Sequence, residues 1–141
     1  MLTRTRQLRC NDINCPHEKL KKFNDWTRDK LPNSYTGYRA YDLDWVFWQR
    51  GTSHNIEKIM MVEVKTFCSS VKPDQLKTYL FLDQCIKQYV SNFTETKYYG
   101  FHVLVFERTF FDDGKCWLNN KEISENDLIT FLSFQDLPRI N

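Results

Sequence analysis

Two stretches of this chain are almost unbroken in apolar residues, and each predicts a buried strand. One returns from Glu57 to Phe67 through Met60, Met61, Val62 and Val64; the other runs from Tyr98 to Arg108 through Phe101, Val103, Leu104, Val105 and Phe106. The second is too continuous for an exposed edge, which predicts a central place in a sheet. Ahead of the first lies Asp42, Leu43, Asp44, Trp45, Val46, Phe47 and Trp48, a predicted strand joined to it by turn residues 49–55. So short a connection predicts an antiparallel hairpin. Trp45 and Trp48 fall on opposite faces of that strand by the parity of their spacing.

Helical spacing marks three other segments. Pro16 suits the first turn of a helix, Leu20, Phe23, Trp26 and Leu31 form its apolar stripe, and Pro32 stops it. Residues 33–40, with Gly37, predict a loop leading into a short strand before Asp44. Pro73, Asp74 and Gln75 open a second helix in which Leu76, Tyr79, Leu80, Ile86, Tyr89 and Val90 recur at helical intervals. Lys115 to Leu118 is a short predicted strand between turn signals at 112–114 and 119–120. Ser124 with Asp127 resembles a capped helix start, and Leu128, Ile129, Phe131 and Leu132 give the last helix its buried face. The order predicts an α/β fold in one layered domain over residues 1–141, with 1–15 as an N-terminal arm.

Composition narrows this picture only a little. In 141 residues a net charge of +2 does not by itself announce nucleic acid, although Arg4, Arg6 and Arg9 form one basic cluster and Lys21, Lys22, Arg28 and Lys30 another. No apolar run approaches the roughly 18 residues of a spanning helix, and the N-terminus lacks the apolar core of a signal peptide, so a soluble intracellular protein with no membrane partner is expected. Five cysteines, an odd number, fit a reducing compartment better than a disulfide framework. Cys68 and Cys85 are expected as small buried or half-buried residues. Cys10, Cys15 and His17 would offer three ligands to a structural Zn2+ site, but the sequence shows no fourth, and free thiols near a helix start are the simpler account.

The chemistry concentrates where the predicted hairpin ends. Strand alternation puts Glu63 and Lys65 side by side on one face, and charges in an apolar strand need each other, a metal or a task. Asp42 and Asp44 share a face of the neighbouring strand, so carboxylates and one amine converge. Two acids on adjacent strands suit a divalent cation held by hard oxygen ligands with room for water and a phosphate oxygen. The lysine would stabilise charge on the phosphate or help position and deprotonate the attacking water. The plain alternative is a buried ion-pair network. His102, inside an apolar strand, is expected to be a hydrogen-bonded structural histidine, and His54 a surface residue.

In Asp44, the Glu63-Val64-Lys65 tripeptide after 18 intervening residues, and Gln75 at the start of the following helix, the chain resembles the PD-(D/E)XK nuclease superfamily. The resemblance covers roughly residues 16–110. No proline precedes either aspartate, which leaves the choice between Asp42 and Asp44 open, with Asp44 favoured because Trp45, Val46 and Phe47 follow it directly. The resemblance implies a restriction-endonuclease-like core, a mixed central sheet flanked by helices in the order αβββαβ, with residues 111–141 as a decoration. It implies a Mg2+- or Mn2+-dependent nuclease that hydrolyses phosphodiester bonds, with DNA the favoured partner. Asp44, Glu63 and the Val64 main-chain carbonyl would be metal ligands, Lys65 would act on the water or the scissile phosphate, and Gln75 would contact the phosphate or orient water. Asp42 and Glu18 are candidate additional acids. Two rivals are a non-catalytic nucleic-acid-binding or regulatory module on the same fold and an adaptor with zinc at Cys10, Cys15 and His17. A domain this small would need a homodimer or partner to read a long site.

Overall fold

The computed structural model describes residues 16–135 apart from 33, 38 and 40, and the chain divides into two compact units, Met1–Asp42 and Leu43–Asn141. In the first unit helix α1 spans Pro16–Lys30. Its opening proline has no N–H to waste on an unpaired turn, and Arg28 and Lys30 in the last turn complement the helix dipole. Phe23 and Trp26 of the predicted stripe stack with ring centroids 5.9 Å apart, and both are exposed. A 3-10 turn follows at Ser34–Thr36, and Gly37 takes φ 87°. No strand occurs among the described residues between 31 and 44, which corrects the short strand expected there. The segment lacks the period-two alternation that would bury one face.

The second unit is built on a five-stranded mixed sheet in the order β1-β2-β3-β4-β5, with β1 at Trp45–Gln49, β2 at Glu57–Lys65, β3 at Thr96–Phe106, β4 at Cys116–Leu118 and β5 at Lys121–Glu122. β1 and β2 form the expected antiparallel hairpin, with Trp45 opposite Val62 and Gln49 opposite Lys58. β2 and β3 run parallel, so a crossover must join them, and helix α2, Pro73–Val90, is that crossover. β3 takes the central position that its continuous apolar run predicts. The turn between β4 and β5 has Asn119 and Asn120 at φ 50° and 69°, left-handed values that asparagine tolerates in a two-residue hairpin. The class is therefore α/β, as expected. β1 begins at Trp45, so Asp42 and Asp44 precede the strand rather than ride on it.

Alternation along β2 separates the two faces of the sheet. Met60 and Val62 join Leu104, Phe106, Cys116, Leu128 and Phe134 in one core cluster, with Val64 packed against it. Helix α3, Glu125–Leu132, covers this face, its start capped by the Ser124 hydroxyl accepting the Asp127 N–H at 3.1 Å. Leu128 is buried, whereas Ile129, expected inside, is 56% exposed. The segment predicted as a decoration thus supplies Cys116, Leu128 and Phe134 to the main core. Burial pushes the Cys116 thiol up to about 11. Cys68 and Cys85 are both exposed, contrary to expectation, because one lies in the turn after β2 and the other faces outward on α2.

Met61, Glu63 and Lys65 face the other way, towards α2. That helix turns an unexpected side inward. Gln75, Tyr79 and Asp83, at i, i+4 and i+8, are its buried residues, while Leu80 and Tyr89 of the predicted apolar stripe are exposed. The polar side chains are tolerated because the sheet offers them partners, not only apolar surface. One is backbone at a bulge. β3 gains a residue between Tyr98 and Phe101 relative to β2, and Gly100, at φ 96°, absorbs it. The bulge lets both Tyr98 and Phe101 face α2, where Phe101 packs on Tyr79 with ring centroids 5.0 Å apart.

Asp83 ties the helix to that bulge, accepting the Phe101 N–H at 3.0 Å and pairing with Lys87 at 2.8 Å. Burial works against its charge, yet the Lys87 ammonium and the Phe101 N–H outweigh it and hold the carboxyl below the ordinary 3.8. A carboxyl depressed in the folded state stabilises the fold above its unfolded value and loses that contribution as pH falls through the folded one. Asp83→Asn should therefore cost about 1–3 kcal/mol in urea denaturation at pH 7. The gap to wild type should shrink below about pH 4. An equal gap at pH 7 and pH 3 would contradict this role.

On the opposite face His102 behaves as the structural residue the sequence predicts. Its Nε2 lies 2.7 Å from the Tyr99 carbonyl, its Nδ1 is 2.8 Å from Asn119 Nδ2, and its ring meets Phe131 edge-on. Burial pushes its pKa down, so the neutral ring, donating to Tyr99 and accepting from Asn119, is favoured.

Candidate active site

Where the β1–β2 ladder ends, side chains take over from backbone pairing. Beyond the Trp45–Val62 pair, the Val64 N–H donates to Asp44 Oδ2 at 2.9 Å, and the Asp44 N–H reaches Glu63 Oε2 at 3.4 Å. Asp44 is thus fixed against β2 by both its backbone and its carboxylate, and its Oδ1 stays outside the bond to Val64. Both polar groups of one strand residue project to the same edge, so the Val64 carbonyl points the way its N–H does, towards Asp44.

Glu63 is the centre of the cluster. It is only 3% exposed, yet four donors converge on it. Lys65 Nζ lies 3.1 Å and Gln75 Nε2 3.4 Å from Oε1, while Tyr79 Oη lies 3.3 Å and the Asp44 N–H 3.4 Å from Oε2. Gln75 also donates to Tyr79 Oη at 2.7 Å, so the first two turns of α2 form a continuous polar rail over β2. Lys65 is 22% exposed at its side chain, which gives the ammonium a buried anchor at Glu63 and an outlet to solvent. The cluster occupies the carboxyl end of β2, beside its parallel neighbour β3, where open α/β sheets place their ligand crevices.

The expected Asp44, Glu63, Val64, Lys65 and Gln75 are therefore brought together. Asp42 is exposed and falls in the first unit, and Asp44 is bonded to β2 through the Val64 N–H. Glu18 and His17 occupy the first turn of α1, but their side chains, like Cys10 and Cys15, lie outside the described residues. Tyr79 is the site residue that sequence reasoning missed. Its i+4 spacing from Gln75 was the available signal, hidden because a tyrosine among leucines counts as apolar.

The donor set fits a hard divalent cation. Among the described residues no three or more His, Cys, Asp and Glu side chains cluster as a metal cage. Two carboxylates and one carbonyl, completed by water, suit Mg2+, which keeps several waters and needs only one or two carboxylates. The same oxygen-only set does not suit zinc, which prefers nitrogen and sulfur. No protein-family model matches the chain, and no curated protein or solved structure is significantly similar to it. Among the described residues no helix is long and apolar enough to cross a membrane.

Proposed function

We propose that the chain is a divalent-metal-dependent nuclease of the PD-(D/E)XK kind, hydrolysing phosphodiester bonds with DNA as the favoured substrate. The observation that carries this reading is the pinning of Asp44 to Val64, which sets one carboxylate against the strand that presents Glu63 and Lys65. Asp44, Glu63 and the Val64 carbonyl would hold Mg2+ or Mn2+, which when bound lowers the pKa of water and neutralises phosphate charge. Lys65, anchored by Glu63, then holds its ammonium where charge develops on the phosphoryl oxygens as water attacks phosphorus and the leaving oxygen departs. Gln75 keeps Glu63 in its rotamer and offers an amide to the phosphate or the attacking water. The amino end of α2 favours an anion in the same place.

A second reading, a nucleic-acid-binding module without catalysis, draws on the saturation of Glu63, both of whose oxygens already receive donors. Asp44→Asn separates the two. The amide oxygen of asparagine still accepts the Val64 N–H, so the melting temperature should stay near that of wild type. Cleavage of circular, linear, single-stranded and junction DNA in Mg2+ or Mn2+ should fall by about 10³-fold. If wild-type protein cuts neither DNA nor RNA in either metal but retards them in a gel, the binding module takes over.

A further inference from the structure

Beside the site, on the same face of the sheet, lies an open cleft of about 630 Å³, within the range of small-molecule binding sites. Its floor is Val103 and Val105, the residues of β3 that pair with Glu63 and Lys65. Neighbouring strands lie about 4.8 Å apart, so the floor begins one strand spacing from the cluster. Leu76, which follows Gln75 on α2, forms one wall, and Trp117 of β4, opposite Val105, forms another. Ser70 and Asn120 bring hydrogen-bonding groups to the lining.

We infer that this cleft takes an unpaired nucleobase, stacked on Trp117, from the strand whose phosphate lies at Lys65. This deepens the nuclease reading and rests on it, because the phosphate position comes from that reading. An indole over an aliphatic floor offers a base what sequence-tolerant single-strand binders offer, a π-face with apolar surroundings. Lys72, which is exposed, adjoins the lining residue Val71 and sets one cation beside the cleft. By the strand register Glu122, paired with Trp117, shares the face of the cleft, whereas Lys121, paired with Leu118, belongs to the opposite face.

The wall next to Lys65 is also held in an unusual conformation. Phe67 and Cys68 both have φ 53°, left-handed values that a bulky aromatic residue seldom adopts. Their N–H groups donate to the carbonyls of Arg108 and Phe106 at 3.0 and 3.1 Å, which locks the turn. Such strain persists where the surrounding structure over-determines it, characteristically at binding sites. Here it fixes Cys68 to Ser70 along the cleft, directly after the lysine. A stacked base beside Lys65 requires a strand free of its complement, so the substrate class is single-stranded, flapped or otherwise unpaired nucleic acid.

The test is fluorescence anisotropy in EDTA, with cleavage in Mg2+ measured in parallel. The probes are a short single-stranded oligonucleotide, its full duplex, the duplex with one unpaired base, and single strands abasic at successive positions. Wild-type protein should bind the single strand and the unpaired-base duplex about tenfold more tightly than the full duplex, and one abasic position should remove that advantage. Trp117→Leu should lose the advantage and Trp117→Phe should keep most of it. Metal-dependent cleavage that ignores both Trp117 and missing bases overturns the cleft assignment and leaves the nuclease reading standing. Absence of cleavage with every probe, alongside abasic-sensitive binding, overturns the nuclease reading and supports the cleft.

Discussion

Lys65→Ala is expected to lower metal-dependent phosphodiester cleavage by about 10³-fold while leaving the protein folded, the loss typical of a group that stabilises charge in the transition state. The folding cost should be modest because Glu63 keeps three other donors, the Asp44 N–H, Gln75 and Tyr79. Lys65 is also partly exposed, so its removal leaves a gap that solvent reaches rather than a sealed void. Lys65→Arg should not restore the rate, since a planar fork cannot occupy the position of a compact ammonium held 3.1 Å from a carboxylate oxygen. Lys65→Met provides the sharper contrast. If the lysine were only half of an ion pair, Lys65→Met would leave the buried Glu63 carboxylate without its cation and lower the melting temperature, with cleavage intact. Turnover in Mg2+ and thermal denaturation of the three variants decide the matter. Wild-type turnover in Lys65→Met would remove Lys65 from the mechanism.

The parts of this site that can be read from sequence are those governed by strand parity. Glu63 and Lys65 had to share a face because strand side chains repeat every two residues, and the ion pair between them follows. The short link from β1 to β2 likewise brought Asp44 to the tripeptide. Helix α2 was harder, because its inward face is set by what the sheet presents. Periodicity of apolar residues points to Leu76, Tyr79 and Leu80, yet of these Tyr79 alone is buried, and Gln75 and Asp83 join it, drawn in by Glu63 and by the Phe101 N–H. No local pattern in α2 reveals a partner on another strand. The role of residues 116–134 in the core was hidden for a similar reason, since the pairing of β4 with β3 is a long-range fact. The bulge at Gly100 could be suspected from a glycine inside a strand, though not the way it turns Tyr98 and Phe101 to one side.

Glu63→Ala should have the largest effect on stability, about 3–5 kcal/mol, because it removes the buried carboxylate on which these donors converge. Lys65 Nζ, the Gln75 amide and the Tyr79 hydroxyl would all face the space the carboxylate leaves. Such a variant confounds folding with function, so Glu63→Gln carries the mechanistic weight. Its amide oxygen can stay at the Oε1 position, accepting from Lys65 and Gln75, while its NH2 group takes the place of Oε2. There the Tyr79 hydroxyl can reverse and accept, but the Asp44 N–H meets another donor, which limits the stability loss to about 1–2 kcal/mol. Cleavage should nonetheless fall by about 10³-fold. The metal response gives a readout independent of activity. A ligand bound only by the folded protein stabilises it by about 1.4 kcal/mol at tenfold excess over its Kd, so Mg2+ should raise the wild-type Tm in a concentration-dependent way. Glu63→Gln and Asp44→Asn should each flatten that rise, and Lys65→Ala should preserve it, because the lysine belongs to the phosphate and not to the cation. A Mg2+ response unchanged in Glu63→Gln would mean that the cluster is an ion-pair network and not a cation site.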